Sequence, residues 1–301
     1  MSHPLPIPNP NTQSLIGLPA PGKINVFLHV IGRRSDGYHL LQSVFALVDW
    51  CDEINLHQRA SGVSRADIES AVKLPANDLM VRAALALQQA TGCNQGVHIE
   101  LKKRLPMEAG LGGGSSDAAT CLIALNRLWG LNLRRDQLIS IAANLGADIP
   151  FFVGGHNAWV EGIGERLTPL NLPSSRITIV KPAVGVSTAE LFSSPLLTRD
   201  TNPATMSDFA EHRVAGFTEW QPFSFGQNDL QEPAVAVCPE IQVAISWFEQ
   251  KNLVARMTGS GSAVFAVHAE PVDVSDARSD WIIHQGRVID RHPLAHWVSE
   301  T

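Results

Sequence analysis

One stretch of the chain concentrates chemistry: Gly110-Leu111-Gly112-Gly113-Gly114-Ser115-Ser116-Asp117. Four of its first five residues are glycine. Without a Cβ in the way, successive backbone N–H groups can converge on one anion. An apolar stripe follows at Ala118, Leu122, Leu125 and Trp129, which is helical spacing, and Gly130 stops it. The start of that helix adds unpaired N–H donors and partial positive charge at the same spot. Ser115 and Ser116 are expected to cap the helix, and their hydroxyls can reach phosphate oxygens or a magnesium ion. The segment reads as a phosphate cradle that needs no net charge. It is not a Walker A loop, which requires a lysine where Ser115 stands, and the dinucleotide pattern GxGxxG fails at the same residue.

Three other segments carry polar groups at turns or strand starts. Lys23 and Asn25 open a strand in Ala20-Pro21-Gly22-Lys23-Ile24-Asn25. Asp148 stands between a helix stop and a proline in Leu145-Gly146-Ala147-Asp148-Ile149-Pro150. A second glycine-serine turn, Thr258-Gly259-Ser260-Gly261-Ser262, precedes another strand. Each alone reads equally well as a surface lysine, a turn former or a hairpin. Their order beside the cradle gives them weight.

The elements that must position these groups alternate without strict repetition. Ile24, Val26, Leu28 and Val30 fall on one face of a strand, and Ser43–Val48 and Asp52–His57 read as strands too. Residues 61–73 suggest an exposed hairpin. Asn77 or Asp78 caps a helix running to about Thr91, with Gly92 at its end. After a strand through Val97, Ile99 and Leu101 come the cradle, its helix, and a second helix capped by Asp136. Residues 149–170 return to β structure, and Pro173-Ser174-Ser175 is the best boundary. Beyond it come a strand at Ile177–Val180, a capping box of Ser187 with Glu190, a polar stretch over 193–222 suited to a loop or lid, one helix over Val235–Lys251, and a strand at Ala263–His268. This pattern favours an α+β architecture over a doubly wound sheet. It divides into a flexible extension (1–17), an N-terminal domain (18–170) and a C-terminal domain (171–301).

Composition narrows the class. The chain has 301 residues, 45% hydrophobic, enough for full cores. Its net charge of −6, with no basic stripe, argues against nucleic-acid binding. Cys51, Cys93, Cys121 and Cys238 are scattered, which suits a reducing cytoplasm rather than a disulfide or zinc scaffold. No apolar run approaches a membrane span, and the proline-rich start has no signal-peptide pattern. His292 and His296, four apart, lack the surroundings of a metal pair and are expected to be solvent-exposed, so no metal ligands are assigned.

The segments PGKINVFLHVIGRRSDGYHLLQSVF, LPMEAGLGGGSSDAAT, LGADIPFFVGGHNAWVEGIGERLTPL and MTGSGSAVFAV resemble the GHMP small-molecule kinases over roughly residues 19–268. The GYH and LGADIPFF elements are similar to the members whose alcohol acceptor carries a cytidine diphosphate group and which serve non-mevalonate isoprenoid synthesis. The resemblance implies an N-terminal domain like domain 2 of ribosomal protein S5, a ferredoxin-like C-terminal domain, and an active site in the cleft between them. It implies ATP as phosphoryl donor with nucleotide-bound Mg2+, and a monomer or weak homodimer. It assigns catalysis to Asp148, accepting the hydroxyl proton, and Lys23, holding Asp148 ionised and countering charge on the attacking oxygen. Pro106, Met107, Glu108, Ala109, Gly110, Leu111, Gly112, Gly113, Gly114, Ser115 and Ser116 would wrap the ATP phosphates. Asn25 would lie near the substrate's phosphate or erythritol end, Tyr38 would stack on cytosine, His39 would bond its edge, and Phe192 would form a second stacking face. Glu108 departs from a loop built for a triphosphate and is expected to face solvent. A kinase acting on homoserine, mevalonate or a sugar, or more remotely a silent ligand sensor, would keep the same cradle.

Overall fold

The computed structural model describes residues 5–9, 12–69, 74–212 and 220–300. Two long strands, β1 (Ser14–Arg33) and β2 (His39–Arg59), pair antiparallel along nearly their whole length. The single apolar face expected for Ile24–Val30 is corrected here. Bulges in the β1–β2 register turn successive side chains to different cores, so both faces of β1 are buried from Ala20 to Val30. β3 (Val63–Asp67) falls in the stretch expected as an exposed hairpin, of which 70–73 lie outside the described residues. It is an edge strand lying parallel to β4 (Gly96–Lys102), which pairs with β2.

Between them runs α1 (Leu79–Thr91). The Asp78 carboxylate accepts the Met80 and Val81 N–H groups, and Gly92 closes the helix at φ 69°. α2 (Gly113–Leu128) begins inside the glycine-rich segment with Gly112 as its N-cap, so Ser115 and Ser116 are first-turn residues and not caps. Arg134, rather than Asp136, takes the N-cap position of α3 (Arg135–Ala143). The return to β structure after residue 149 is delayed by α4 (Ile149–Gly154), where Pro150 presets the first turn. Its Phe151, Phe152 and Val153 are buried in the same core as α2. Short strands β5 (Ala158–Glu161) and β6 (Arg166–Pro169) follow.

The second half opens with β7 (Arg176–Lys181) and α5 (Thr188–Ser193). Ser187 precedes α5 but its side chain makes no capping bond, so the Ser187–Glu190 box is not formed. α6 (Met206–Glu211) falls in the expected loop, of which 213–219 lie outside the described residues. The single helix expected over Val235–Lys251 is two, α7 (Gln231–Val237) and α8 (Glu240–Glu249), because Pro239 breaks the run. β8 (Ala255–Met257), β9 (Val264–His268) and β10 (Ile282–Ile289) complete the chain's strands.

One continuous ten-stranded sheet results, with β10 joining β2 of the first half to β7 of the second. This is an α+β fold of two halves. One core lies under α1, α2 and α4, a second along the seam, and a third beneath α5, α7 and α8. The C-terminal tail returns to the first half. Leu294, Trp297 and Val298 enter its core, and Arg135 bonds the Ala295 carbonyl. His292, expected in solvent, is buried in that tail against Thr120 of α2. Leu5, the first described residue, packs on the first core, and its carbonyl accepts from Trp297. Among the described residues no helix is long and apolar enough to cross a membrane.

Candidate active site

Lys23 lies midway along β1, where alternation puts Lys23 and Asn25 on the same side of the strand. Burial leaves Lys23 only 4% exposed, so its charge must be met locally. Its Nζ donates to Asn25 Oδ1 at 2.5 Å, stands 4.5 Å over the Phe45 ring, and is 3.9 Å from Asp148 Oδ2. Burial lowers the Lys23 pKa, and Asp148 opposes that shift. Asp148, at the mouth of α4, is 33% exposed, leaving its carboxylate open to a second molecule. Asn25 is fixed from two sides: its N–H donates to Thr258 Oγ1 at 2.8 Å and its amide to Ser43 Oγ at 2.9 Å. The Lys23 N–H donates to the Leu111 carbonyl at 2.9 Å, so the strand and the glycine loop are one unit.

Gly110 and Gly112 have φ of 72° and 68°, a backbone that the loop's shape requires and that side chains resist. A Cβ on Gly112 would stand 3.1 Å from the Phe152 ring. Gly113 needs no such φ, but a Cβ there would meet Lys103 Nζ at 3.0 Å. Lys103 was not singled out in the sequence. It lies beneath the loop, donating to Asp52 at 2.5 Å and to Asp117 at 2.8 Å. Burial pulls the Lys103 pKa down, yet Asp117 and Asp52 outweigh it and leave it raised. Burial also pushes Asp117 well above the ordinary carboxylate range, with Lys103 opposing and Asp52 adding to the shift. The only available hint was a cation three residues before the Pro106–Ser116 loop and an acid just after it.

A cavity of about 470 Å³ gathers these groups. It is lined by Lys23, Asn25, Pro106 through Ser115 and Asp148, by Leu74 and Leu79 at one end, and by Thr188, Gly259 and Ser260 from the second half. Ser116 is not part of it: it is fully buried, its hydroxyl without a hydrogen-bond partner among the described residues. Glu108, expected to face solvent, is exposed but also lines this cavity. Its carboxylate lies against Gly185 and its carbonyl accepts from the Ser262 N–H.

A second cavity, about 610 Å³, adjoins the first along Leu41, Ile163 and Phe192. Tyr38 and His39 line it, and Tyr38 is 61% exposed. His39 rests flat against Phe192, with centroids 5.0 Å apart and planes at 25°, so the ring on Phe192 is that of His39. Arg199, which the sequence did not mark, donates its Nε–H to His39 Nε2 at 3.3 Å.

The arrangement joins a carboxylate–ammonium pair to a backbone anion cradle and to an aromatic pocket, which is the equipment for transferring a phosphoryl group to a bound alcohol. GHMP kinases N terminal domain matches residues 78–156, and GHMP kinases C terminal matches residues 206–286. The 4-diphosphocytidyl-2-C-methyl-D-erythritol kinase of Acidovorax sp. (strain JS42) is 55% identical over 291 residues, covering 95% of this chain and 99% of its own. That of Polaromonas naphthalenivorans (strain CJ2) is 52% identical over 291 residues, covering 95% and 96%. A crystal structure of 4-(cytidine 5'-diphospho)-2C-methyl-D-erythritol kinase superposes with TM-score 0.76 at 31% identity, covering 91% of this chain and 98% of that one. A homoserine kinase from Cytophaga hutchinsonii, 17% identical with TM-score 0.66, shares the fold alone. With relatives of that closeness spanning almost its whole length, the chain belongs to the 4-diphosphocytidyl-2-C-methyl-D-erythritol kinase family of the GHMP kinases.

Proposed function

We propose that this protein transfers the γ-phosphoryl group of ATP to the 2-hydroxyl of 4-diphosphocytidyl-2-C-methyl-D-erythritol, giving the 2-phosphate and ADP. The observation that carries the reading is the position of the Lys23–Asp148 pair. It lies in the cavity walled by the glycine loop, next to the one rimmed by Tyr38 and His39. The acceptor's cytidine end would occupy the aromatic pocket and its erythritol end would reach Asn25 and Asp148. Loop N–H groups and the α2 N-terminus would hold the triphosphate, with Leu74 and Leu79 offering an apolar wall to the adenine.

In the transfer, Asp148 accepts the proton of the 2-hydroxyl as that oxygen bonds the γ-phosphorus and the β–γ bridging bond breaks, releasing ADP. Lys23, charged and buried, counters the charge on the attacking oxygen and orients Asp148. Among the described residues no three His, Cys, Asp or Glu side chains are grouped to hold a metal ion. Mg2+ would come bound to the nucleotide, near Ser115 and Asp148, and would neutralise charge on the β and γ oxygens. The cysteines are unpaired, which suits work in the cytoplasm.

The test is to mix the purified protein with Mg·ATP and each candidate acceptor and to follow ADP release. Turnover with the cytidylyl alcohol, and little with homoserine, mevalonate or free methylerythritol phosphate, is expected. Turnover with homoserine or mevalonate and none with the cytidylyl compound would remove the substrate assignment and leave a kinase.

A further inference from the structure

Arg199 has an unusual post. It follows α5, and its guanidinium donates in four directions: Nη1 to the Leu197 carbonyl at 3.0 Å, Nη2 to the Phe192 and Ser194 carbonyls at 3.1 and 2.9 Å, and Nε to His39 Nε2 at 3.3 Å. The three carbonyls lie at or beyond the end of α5, where such groups need donors from outside the helix. They also hold the guanidinium in place. Arginine has five N–H donors, no acceptor, and keeps its proton at any working pH. A ring nitrogen facing Arg Nε–H can therefore only accept.

We propose that Arg199 is a positioning residue that fixes the tautomer of His39 and thereby makes the pocket select cytosine over uracil. With Nε2 accepting from Arg199, the proton of the neutral ring is on Nδ1. Among the described residues Nδ1 has no hydrogen-bond partner, and the ring lines the second cavity. Burial, with Arg199 and Arg33 adding to it, lowers the His39 pKa and keeps the ring neutral at physiological pH. An N–H donor fits the bare N3 of cytosine and opposes the N3–H of uracil, whereas the other tautomer would do the reverse. A site built around one donor rejects the base that cannot accept from it. The same guanidinium, through the Phe192 carbonyl, holds the face on which His39 rests. This inference rests on the cytidine reading of the second cavity.

Two measurements test it without catalysis. The first is the nitrogen-15 spectrum of the histidine rings near neutral pH, with His39 assigned by its loss in His39→Gln. A protonated Nδ1 and a bare Nε2 are expected in the wild type. The second is calorimetry with cytidine diphosphate and uridine diphosphate. In Arg199→Glu the new carboxylate accepts from Nε2–H, so the ring pattern should reverse and the preference for cytidine diphosphate should fall about tenfold or more. ATP binding should persist in that variant, and Arg199→Lys, still a donor, should retain the preference. A wild-type ring protonated on Nε2 overturns the inference. So does an Arg199→Glu protein that binds ATP and both diphosphates in the original ratio. Should Arg199→Glu fail to fold, the wild-type spectrum and Arg199→Gln decide. Equal binding of the two diphosphates by the wild type would instead remove the cytidine reading itself.

Discussion

Gly110 stands so close to Thr258 that a Cβ on it would lie 2.1 Å from the Thr258 carbonyl oxygen. The contact clamps the phosphate loop of the first half onto the glycine-serine turn of the second, beside the Ser262 N–H bond to the Glu108 carbonyl at 3.0 Å. Gly110→Ala should therefore weaken ATP binding and stability together. Its φ of 72° alone costs an alanine about 1–2 kcal/mol, before the turn is displaced. Thermal unfolding and nucleotide titration check this, and wild-type values in both would show that the seam is loose.

On the proposed mechanism Asp148→Asn removes an interaction that matters only while the proton moves. ATP affinity should stay within a few-fold of wild type and kcat should fall by about 10²–10⁴. Steady-state kinetics with saturating acceptor decide, and near-normal turnover would take Asp148 out of the mechanism.

On the proposed mechanism Lys23 should give the reaction an alkaline limit. Burial sets its folded-state pKa below the ordinary 10.5, against the pull of Asp148. kcat should fall as pH rises through that value, and the limb should move lower still in Asp148→Asn. Stability runs the other way. Between the folded value and 10.5 the unfolded chain binds more protons, so unfolding free energy rises with pH there. An alkaline limb at or above 10.5 would mean that Lys23 is not the group being titrated.

His292 should contribute to the loss of stability on the acid side. Burial, with Arg135 adding to it, drops its pKa to about 3 from 6.5, while its ring bonds Thr120 Oγ1 and accepts the Leu294 N–H. Above 6.5 both folded and unfolded chains hold it neutral. As pH falls from 6.5 toward 3 only the unfolded chain takes the proton, so stability is lost at up to about 1.4 kcal/mol per pH unit. His292→Asn should flatten that slope in denaturant titrations. An unchanged slope would assign the acid loss to other groups.

Tyr38→Ala should weaken acceptor binding roughly 5–150-fold, since stacking on a base is worth about 1–3 kcal/mol. ATP binding, which the proposed function places in the other cavity, should be spared. Loss of both affinities together would argue that Tyr38 supports the fold rather than the ligand.

What could be read in the sequence was what local rules decide. Asp78 and Gly92 bound α1 because a carboxylate and a left-handed glycine do so wherever a helix lies between them. The glycine loop announced itself because its backbone needs that composition. Residues 149–154 misled because their bulky apolar side chains have strand character, and only packing against α2 makes them a helix. Lys103 and Arg199 were invisible because their meaning lies in partners far along the chain: Asp52 for one, His39 for the other. His292 looked like a surface residue because nothing local tells that the tail folds back onto α2.

β1 belongs to both halves. Its Leu15, Leu18 and Ala20 fill the core under α1 and α2, while its Leu28 and Val30 fill the core beneath α5, α7 and α8. The second half grips it further: Asp229 accepts the Val30 N–H, and Arg256 caps the Val26 carbonyl. A break between β6 and β7 would thus not yield two independent modules. The later fragment would face water where β1 should lie, and the earlier one would lack the returning tail. Each half is the other's missing piece, as in a split reporter. A chimera exchanging one half between relatives would have to import a β1 matched to its new neighbour, Lys23 included.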